Sequence, residues 1–302
     1  MNIPLGWLIA IGSCLFGFIW LGGSWQQLWV PQEYLIIFGA AFGTLVAANK
    51  WRNLKNLVLA FGRIFWRAEN SRSANLALLC LMFEILQKIK QGGPLSIEAD
   101  IETPQKSALF SKYAAVLKNP RLVEFITDYC RMMMDGSVTR EQLDSVMAQE
   151  IEVLNQEALE PSHSIMTLAD SLPAFGIVAA IIGVIHTLSS IGDGKSPGEI
   201  GSYIGSALVG TLLGVFTSYA VFSPIAKTME QIADAGVKPF EAVKEILIAN
   251  YSGFSPLTAV EYGRKVLYTD QRPSMLQLES GVKSAFSGER RVGERRSTDR
   301  RK

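Results

Sequence analysis

The sequence predicts an all-α membrane protein, with four transmembrane helices and a cytoplasmic helical bundle between spans 2 and 3. Three observations predict it. The 302 residues are 48% hydrophobic and only 19% charged, and the apolar residues gather in four blocks instead of recurring at amphipathic spacing. The blocks run from Ile3 to Gly22, Tyr34 to Ala48, Leu172 to Ile191 and Ile200 to Ile225, against the ~20 apolar residues that a spanning helix needs. Basic residues crowd a single connection: Lys50, Arg52, Lys55, Arg63, Arg67 and Arg72 follow the second block, whereas Ser24 to Pro31 carries no charge. Short basic loops stay inside, so the basic segment is expected to be cytoplasmic.

The first block has no basic n-region and is followed at once by a second apolar segment, so it reads as a retained span and not as a cleaved signal. The second is the shortest. Residues 50–168 then read as helical. Ala74 to Gln91 carries Leu76, Leu79, Cys80, Phe83, Leu86 and Ile89 at helical spacing, with Glu84 and Lys88 placed as a favourable pair four apart. Gly92-Gly93-Pro94 ends that helix. Ser96 to Glu102 is a short acidic segment closed by Pro104. Arg121 to Met134 and Thr139 to Glu160 are two further helices, joined by the turn residues Asp135-Gly136. Thr139 followed by Gln142 makes a capping box. The second of these helices presents Glu141, Asp144, Glu150, Glu152, Glu157 and Glu160, an acidic face suited to solvent.

The third block opens with Asp170 and Pro173, read as an N-cap and a kink or start signal. His186 lies toward its outer end, as a packed neutral imidazole or a pH-sensitive gate. Gly192 to Glu199, with Asp193, Lys195 and Glu199, is too short for a domain and reads as an external turn, which leaves both termini cytoplasmic. In the fourth block Gly201, Gly205, Gly210 and Gly214 recur about once per helical turn, a pattern that lets backbones approach closely. The expected organisation is a first transmembrane hairpin (1–49), a cytoplasmic helical domain (50–168), a second hairpin (169–226), a cytoplasmic C-terminal helical region (227–280) and a basic tail (281–302). Within the spans the sequence reading finds no buried Asp, Glu, Lys or Arg. A chain of this kind is poorly equipped to relay ions alone, so a partner helix must bring the carboxylate.

No catalytic constellation emerges. A P-loop, a GxSxG elbow, an HExxH helix and a Rossmann fingerprint are all missing, and His163 and His186 are the only histidines. The reading is therefore not an enzyme, with no cofactor, no metal and no nucleic-acid partner. Cys14, Cys80 and Cys130 form no CxxC pair, which excludes a disulfide framework or zinc site.

Ala169-Asp170-Ser171-Leu172-Pro173-Ala174-Phe175-Gly176-Ile177-Val178-Ala179-Ala180 and Ala207-Leu208-Val209-Gly210-Thr211-Leu212-Leu213-Gly214 resemble the third and fourth spans of the MotA family of flagellar motor stator subunits. The resemblance extends through Ser223-Pro224 and Ala259-Val260-Glu261-Tyr262-Gly263-Arg264-Lys265-Val266-Leu267-Tyr268 to Arg272-Pro273-Ser274, and is closer than to the three-span ExbB and TolQ relatives. It implies an ion-driven torque unit in the bacterial inner membrane. Such chains form a pentameric ring around two copies of a MotB-type subunit, whose single span carries the ion-binding aspartate and whose periplasmic domain grips peptidoglycan. The ring acts on the rotor switch protein FliG. One charge moved through 100 mV supplies about 2.3 kcal/mol, so torque is built from many small steps. The alternative class is an ExbB/TolQ-like energiser or a static membrane scaffold.

The resemblance also implies roles for single residues. Pro173 and Pro224 match the two prolines that couple ion flow to torque, and each can equally be a simple helix start or stop. Thr211 matches a pore-facing threonine; a hydroxyl bonded back to its own helix is the other reading. Ala180 falls where sodium-driven relatives carry a threonine ligand, and its methyl group favours protons. Lys90 and Glu98 fall where the family meets FliG, lysine replacing the usual arginine and losing its donor fork. Glu150 matches a further charged position. Glu289-Arg290-Arg291, Glu294-Arg295-Arg296 and Asp299-Arg300-Arg301 depart from the pattern. That tail reads as disordered, either loosely bound to anionic lipid or merely solubilising.

Overall fold

The structure, a computed structural model, describes residues 3–65, 72–191 and 195–284. In chain order its helices are α1 (Ile3–Trp20), α2 (Trp25–Leu28), α3 (Pro31–Ala48), α4 (Trp51–Phe65), α5 (Arg72–Gly92), α6 (Glu98–Glu102), α7 (Ala108–Ser111), α8 (Ala114–Leu117), α9 (Pro120–Asp135), α10 (Arg140–Ile191), α11 (Pro197–Phe216), α12 (Ser223–Tyr251) and α13 (Pro256–Val266). A 3-10 turn (Pro94–Ile97) links α5 to α6, a π-helical turn (Thr217–Phe222) links α11 to α12, and a last helical segment covers 275–284. Among the described residues there is no strand. Asp193, Arg67 and the three charged triplets of the tail lie outside the described residues.

Four helical stretches are long and apolar enough to cross a membrane: Ile3–Trp20, Trp25–Ala48, Arg140–Ser189 and Pro197–Tyr251. The chain divides into two compact units, Met1–Arg67 with Leu159–Ile232 and Ala68–Ala158 with Ala233–Lys302. The first holds the spans. Its interior is thin, with Ile37, Ala41, Leu172 and Ala179 in one cluster and Leu45, Leu57, Ile165, Ile225, Ala226 and Met229 in another. Ser162 donates to the Ala226 carbonyl at 2.8 Å and Ser164 to Asn49 Oδ1 at 2.7 Å, tying α10 to α12 and to the end of α3. Much of the remaining apolar surface faces outward, including Leu8 and Phe16 of α1, Ile181 and Ile185 of α10, and Leu208 and Leu212 of α11. Such surface is stable against lipid or neighbouring spans.

Close approach between α10 and α11 depends on glycine. A Cβ on Gly176 would stand 2.9 Å from the Gly210 carbonyl oxygen and 3.3 Å from Thr211 Cα, and one on Gly214 would stand 2.6 Å from the Leu172 carbonyl oxygen. Gly201 and Gly205, in contrast, have nothing within 4 Å. Of this glycine series, Gly210 and Gly214 alone pack against other described residues of this chain.

The second unit is a helical bundle around Leu79, Met82, Ile85, Phe110, Phe125 and Ile126, with Val243, Ile246 and Leu247 from α12. Phe125 meets Tyr129 and Phe240 edge-on, at 4.7 and 5.3 Å between centroids. Gly93 (φ 78°) ends α5 and Gly136 (φ 63°) caps α9, as the sequence predicts for those turns. Thr139 and Gln142 cap α10 reciprocally, at 2.9 and 3.3 Å.

Two local expectations are overturned. Asp170 is not a cap: α10 runs unbroken from Arg140 to Ile191 with Pro161 and Pro173 inside it, so Asp170 sits exposed in mid-helix. A proline deletes one helix hydrogen bond, and neighbouring turns carry the helix through. Glu84 does not pair with Lys88. It is buried and accepts from Lys112 at 2.8 Å and Tyr113 at 2.7 Å, while Lys88 reaches Asp100 at 2.5 Å. Burial favours the partners that fully satisfy the carboxylate.

The motif Ala259 to Tyr268 proves to be structural. Gly263 lets α13 lie on α12, where a Cβ would come within 2.6 Å of the Ala242 carbonyl oxygen. Arg264, 7% exposed, donates to both Glu261 oxygens at 2.6 Å and to the Pro273 carbonyl at 2.8 Å. Arg272 donates to the Leu267 and Lys265 carbonyls. These bonds fold residues 265–274 back onto α13.

Candidate functional site

The second span begins at Pro31, not Tyr34, and its first turn carries Glu33. Glu33 is 5% exposed, so the expectation of spans without a buried carboxylate is overturned. Its side chain enters the cleft between α10 and α11. Oε1 would stand 3.3 Å from a Cβ on Gly183, and a Cβ on Gly210 would collide with Oε2. The second oxygen is buried without a hydrogen-bond partner. Glu33 was legible only as an acid in a helix's first turn, where acids are commonplace; nothing in the local pattern announces burial.

Thr211 lies one residue beyond Gly210, half-buried, with its Cα against Gly176. The hydroxyls of Thr44, Thr187, Ser206 and Thr217 each bond back to a carbonyl of their own helix; Thr211 has no such bond among the described residues. Its hydroxyl is therefore available. Ala180 is half-buried on α10 beside Ala179, which touches Gly210. Pro173 lies three residues before Gly176 on the same helix. Glu33, Ala179 and the Thr211 backbone thus meet one glycine-lined contact, with Ala180 adjacent to it in sequence and Pro173 three residues before Gly176.

Pro224 is placed elsewhere. It follows the π turn Thr217–Phe222, where the Ser223 N–H reaches the Ser218 carbonyl, and it stands beside the buried pair Ile225 and Ala226. Proline has no N–H for the preceding turn, and a wide turn there is the accommodation. Toward the other end of α11, Tyr203 faces His186 edge-on at 6.1 Å, and Lys195 donates to the Tyr203 hydroxyl at 2.6 Å. Ser196 and Glu199 cap α11.

In the bundle unit Lys90 and Glu98 are exposed on either side of the turn that joins α5 to α6, with exposed Leu95 between them. Glu150 is on α10, where it accepts from the Tyr129 hydroxyl at 2.6 Å. Burial, followed by that hydrogen bond and the nearby carboxylates, pushes the Tyr129 phenol above its usual range. Glu150 thus has a side-chain partner, whereas Lys90 and Glu98 make no side-chain hydrogen bond or ion pair among the described residues. No cluster of three or more His, Cys, Asp or Glu side chains able to hold a metal occurs among the described residues.

Comparison with known proteins fits this arrangement. A family profile described as Motility protein A N-terminal matches residues 4–93, and one described as MotA/TolQ/ExbB proton channel family matches residues 118–242. Motility protein A of Salmonella typhimurium and that of Escherichia coli are each 37% identical over 284 residues, covering 94% of this chain and 96% of theirs. Chemotaxis protein LafT of Vibrio parahaemolyticus is 34% identical over 90% of this chain and 95% of its own. The fold is that of C. jejuni MotAB (TM-score 0.70, 20% identity, 91% of this chain and 98% of that one) and of the flagellar MotAB stator complex from Bacillus subtilis (0.67, 24%, 90% and 98%). With four spans, a glycine-packed helix pair and this extent of identity, the chain belongs to the motility protein A family, within the MotA/TolQ/ExbB proton channel family.

Proposed function

We propose that the chain is the ion-conducting stator subunit of a bacterial flagellar motor, coupling proton flow to torque together with a B subunit that supplies an ion-binding aspartate. The near full-length identity to Motility protein A carries this reading. The outward apolar faces of α1, α10 and α11, and the unfilled space at Gly201 and Gly205, support packing against further spans; that these are other copies in a ring of five around the partner's spans is what the family resemblance implies. The positive-inside rule, applied to Lys50, Arg52 and Lys55, supports a cytoplasmic bundle and cytoplasmic termini in the inner membrane.

Within that reading Thr211 offers its unbonded hydroxyl to the ion path. Ala180 offers only a methyl group, which favours protons over sodium. Pro173 and Pro224 are the points where α10 and the last span bend as ions pass. Lys90 and Glu98 meet opposite charges on the rotor protein FliG, with Glu150 as a further contact. The test is swimming after deletion, complemented with wild type, Pro173→Ala or Glu98→Lys. Wild type restores swimming and both variants impair it. Normal swimming in a deletion strain that carries no second stator set would overturn the reading in favour of a membrane energiser or scaffold. Swimming speed that tracks sodium at fixed pH would sink the proton assignment.

A further inference from the structure

We propose that Glu33 is a proton-binding site belonging to this chain itself, through which protons pass from the outer side of the membrane toward the ring interior. The inference rests on the proton-channel reading above and adds to it a carboxylate that does not come from the partner. Four observations carry it. Glu33 stands in the first turn of a membrane span and is 95% buried by its own chain, so assembly can only deepen that burial. Its Oε2 has no hydrogen-bond donor among the described residues. The space it fills exists because Gly183 and Gly210 have no side chains: a methyl on Gly210 would occupy the position of Oε2. Finally, Thr211, whose hydroxyl has no bond among the described residues, follows Gly210 directly.

A carboxylate held in hydrocarbon without donors is not stable as a bare anion. It must take up a cation, and the surroundings select which. Gly183, Ala207, Ala179 and Gly210 present hydrogens and methyl groups near the carboxylate. Hard metal cations require several oxygen ligands, whereas one oxygen suffices for a proton. The ionisable groups on the elements around it are few. Along the spanning part of α10 (169–191) they are His186, three residues beyond Gly183, and Asp170, thirteen residues before it; on α11 they are Tyr203, one turn before Ala207, and Glu199; on α3 itself there is Tyr34, and α2 has none. At 1.5 Å per residue, His186 lies about 4.5 Å further along the axis than Gly183. His186 and Tyr203 lie edge-on at 6.1 Å between ring centroids and Lys195 donates to the Tyr203 hydroxyl at 2.6 Å, which puts a polar group toward the end of α11 where that span begins. Thr211, the residue after Gly210, carries a hydroxyl with no hydrogen bond among the described residues.

The proposal is tested by infrared difference spectroscopy on the full chain purified with its B subunit, titrated with acid and base. Wild type is expected to show a carboxylic-acid C=O band that disappears on alkalinisation and is lost in Glu33→Gln, alongside any band from the partner. In cells, Glu33→Gln is expected to lower swimming speed at least twofold, with Glu33→Asp intermediate and membrane abundance unchanged. Should Glu33→Gln fail to accumulate, Gly210→Ala keeps the acid but removes its space, and must shift the same band. A titration identical in wild type, Glu33→Gln and Gly210→Ala overturns the proposal, as does undiminished swimming of Glu33→Gln across pH. The spectroscopic arm needs no motility, so failure of the motor reading and failure of the Glu33 site give different results.

Discussion

Replacing Gly214 by alanine tests whether backbone contact between α10 and α11 holds the membrane unit together. The new Cβ would stand 2.6 Å from the Leu172 carbonyl oxygen and 3.0 Å from Gly176 Cα, where ordinary contact begins at 3.4 Å. Both obstacles are backbone, so neither can rotate away, and the helices must separate by up to 0.8 Å (3.4 less 2.6). A gap of 0.5–1 Å already forfeits a quarter to a half of each dispersion contact along the seam, and overpacking of this kind costs about 1–3 kcal/mol. Gly205→Ala is the control. It meets nothing within 4 Å and removes the roughly 1 kcal/mol helix penalty of glycine. Gly214→Ala gains the same relief, so the two variants are expected to differ by the overpacking cost alone, about 1–3 kcal/mol, roughly five- to a hundredfold in the folding equilibrium. Unfolding by SDS in mixed micelles, followed by tryptophan fluorescence, measures the difference on the chain without its partner; Trp7 packs in the same unit. Equal stability of Gly214→Ala and Gly205→Ala would refute backbone packing as the source of cohesion.

Three further outcomes are expected. Hydrogen bonds from Arg264 hold the Glu261 carboxyl below its ordinary range, so this pair stabilises the fold above the ordinary carboxylate pKa and the contribution is lost as pH falls through the lowered value. Arg264→Ala should therefore cost about 3–5 kcal/mol at neutral pH and flatten the acid limb of a thermal-melt pH series; an unchanged limb would exclude the pair as its origin. Burial pushes the Cys80 thiol up to about 11 and the Cys130 thiol up to about 12. Both should resist maleimide at pH 8 in the folded chain and react on unfolding, and their contribution to stability should vanish as pH rises from the usual thiol range through those values. Rapid native labelling at Cys130 would contradict the packing. Glu98→Lys combined with Lys90→Glu should abolish swimming while leaving the bundle's melting temperature within about 1–2 °C, because substitutions at exposed positions change stability little; a large drop in melting temperature would show that these residues hold the fold.

The four spans were legible because apolar length is a property of composition, and the turns at Gly93 and Gly136 because only glycine adopts a positive φ freely. The continuity of α10 was not. Pro161 and Pro173 read locally as boundaries, yet tertiary contacts such as Ser162 with Ala226 hold the helix across them. Glu33 was hidden for a related reason: a Pro31-Gln32-Glu33 start is an ordinary helix beginning, and its burial arises from glycines 150 and 177 residues away (183 − 33 and 210 − 33). Thr211 was ambiguous between two uses of its hydroxyl; the structure shows no back-bond for it among the described residues, which local pattern alone does not reveal. The C-terminal motif was visible only as a resemblance. Its physical content, Gly263 against α12 and Arg264 binding Glu261 and Pro273, depends on chain reversal that no local pattern encodes.

The π turn at Thr217–Phe222 has a bearing on insertions and deletions. A π turn takes up one more residue than an α turn, and one residue is about 100° of rotation. Removing a single residue between 217 and 222 would let the turn close as regular α-helix and leave Ile225, Ala226 and Met229 near the face they now bury. The segment therefore takes up one residue of length while keeping the phase between Gly210 and Gly214 and the face shown ten to fifteen residues later. A one-residue deletion elsewhere between Gly214 and Met229 has no wide turn to absorb it and would carry those side chains about 100° round the axis.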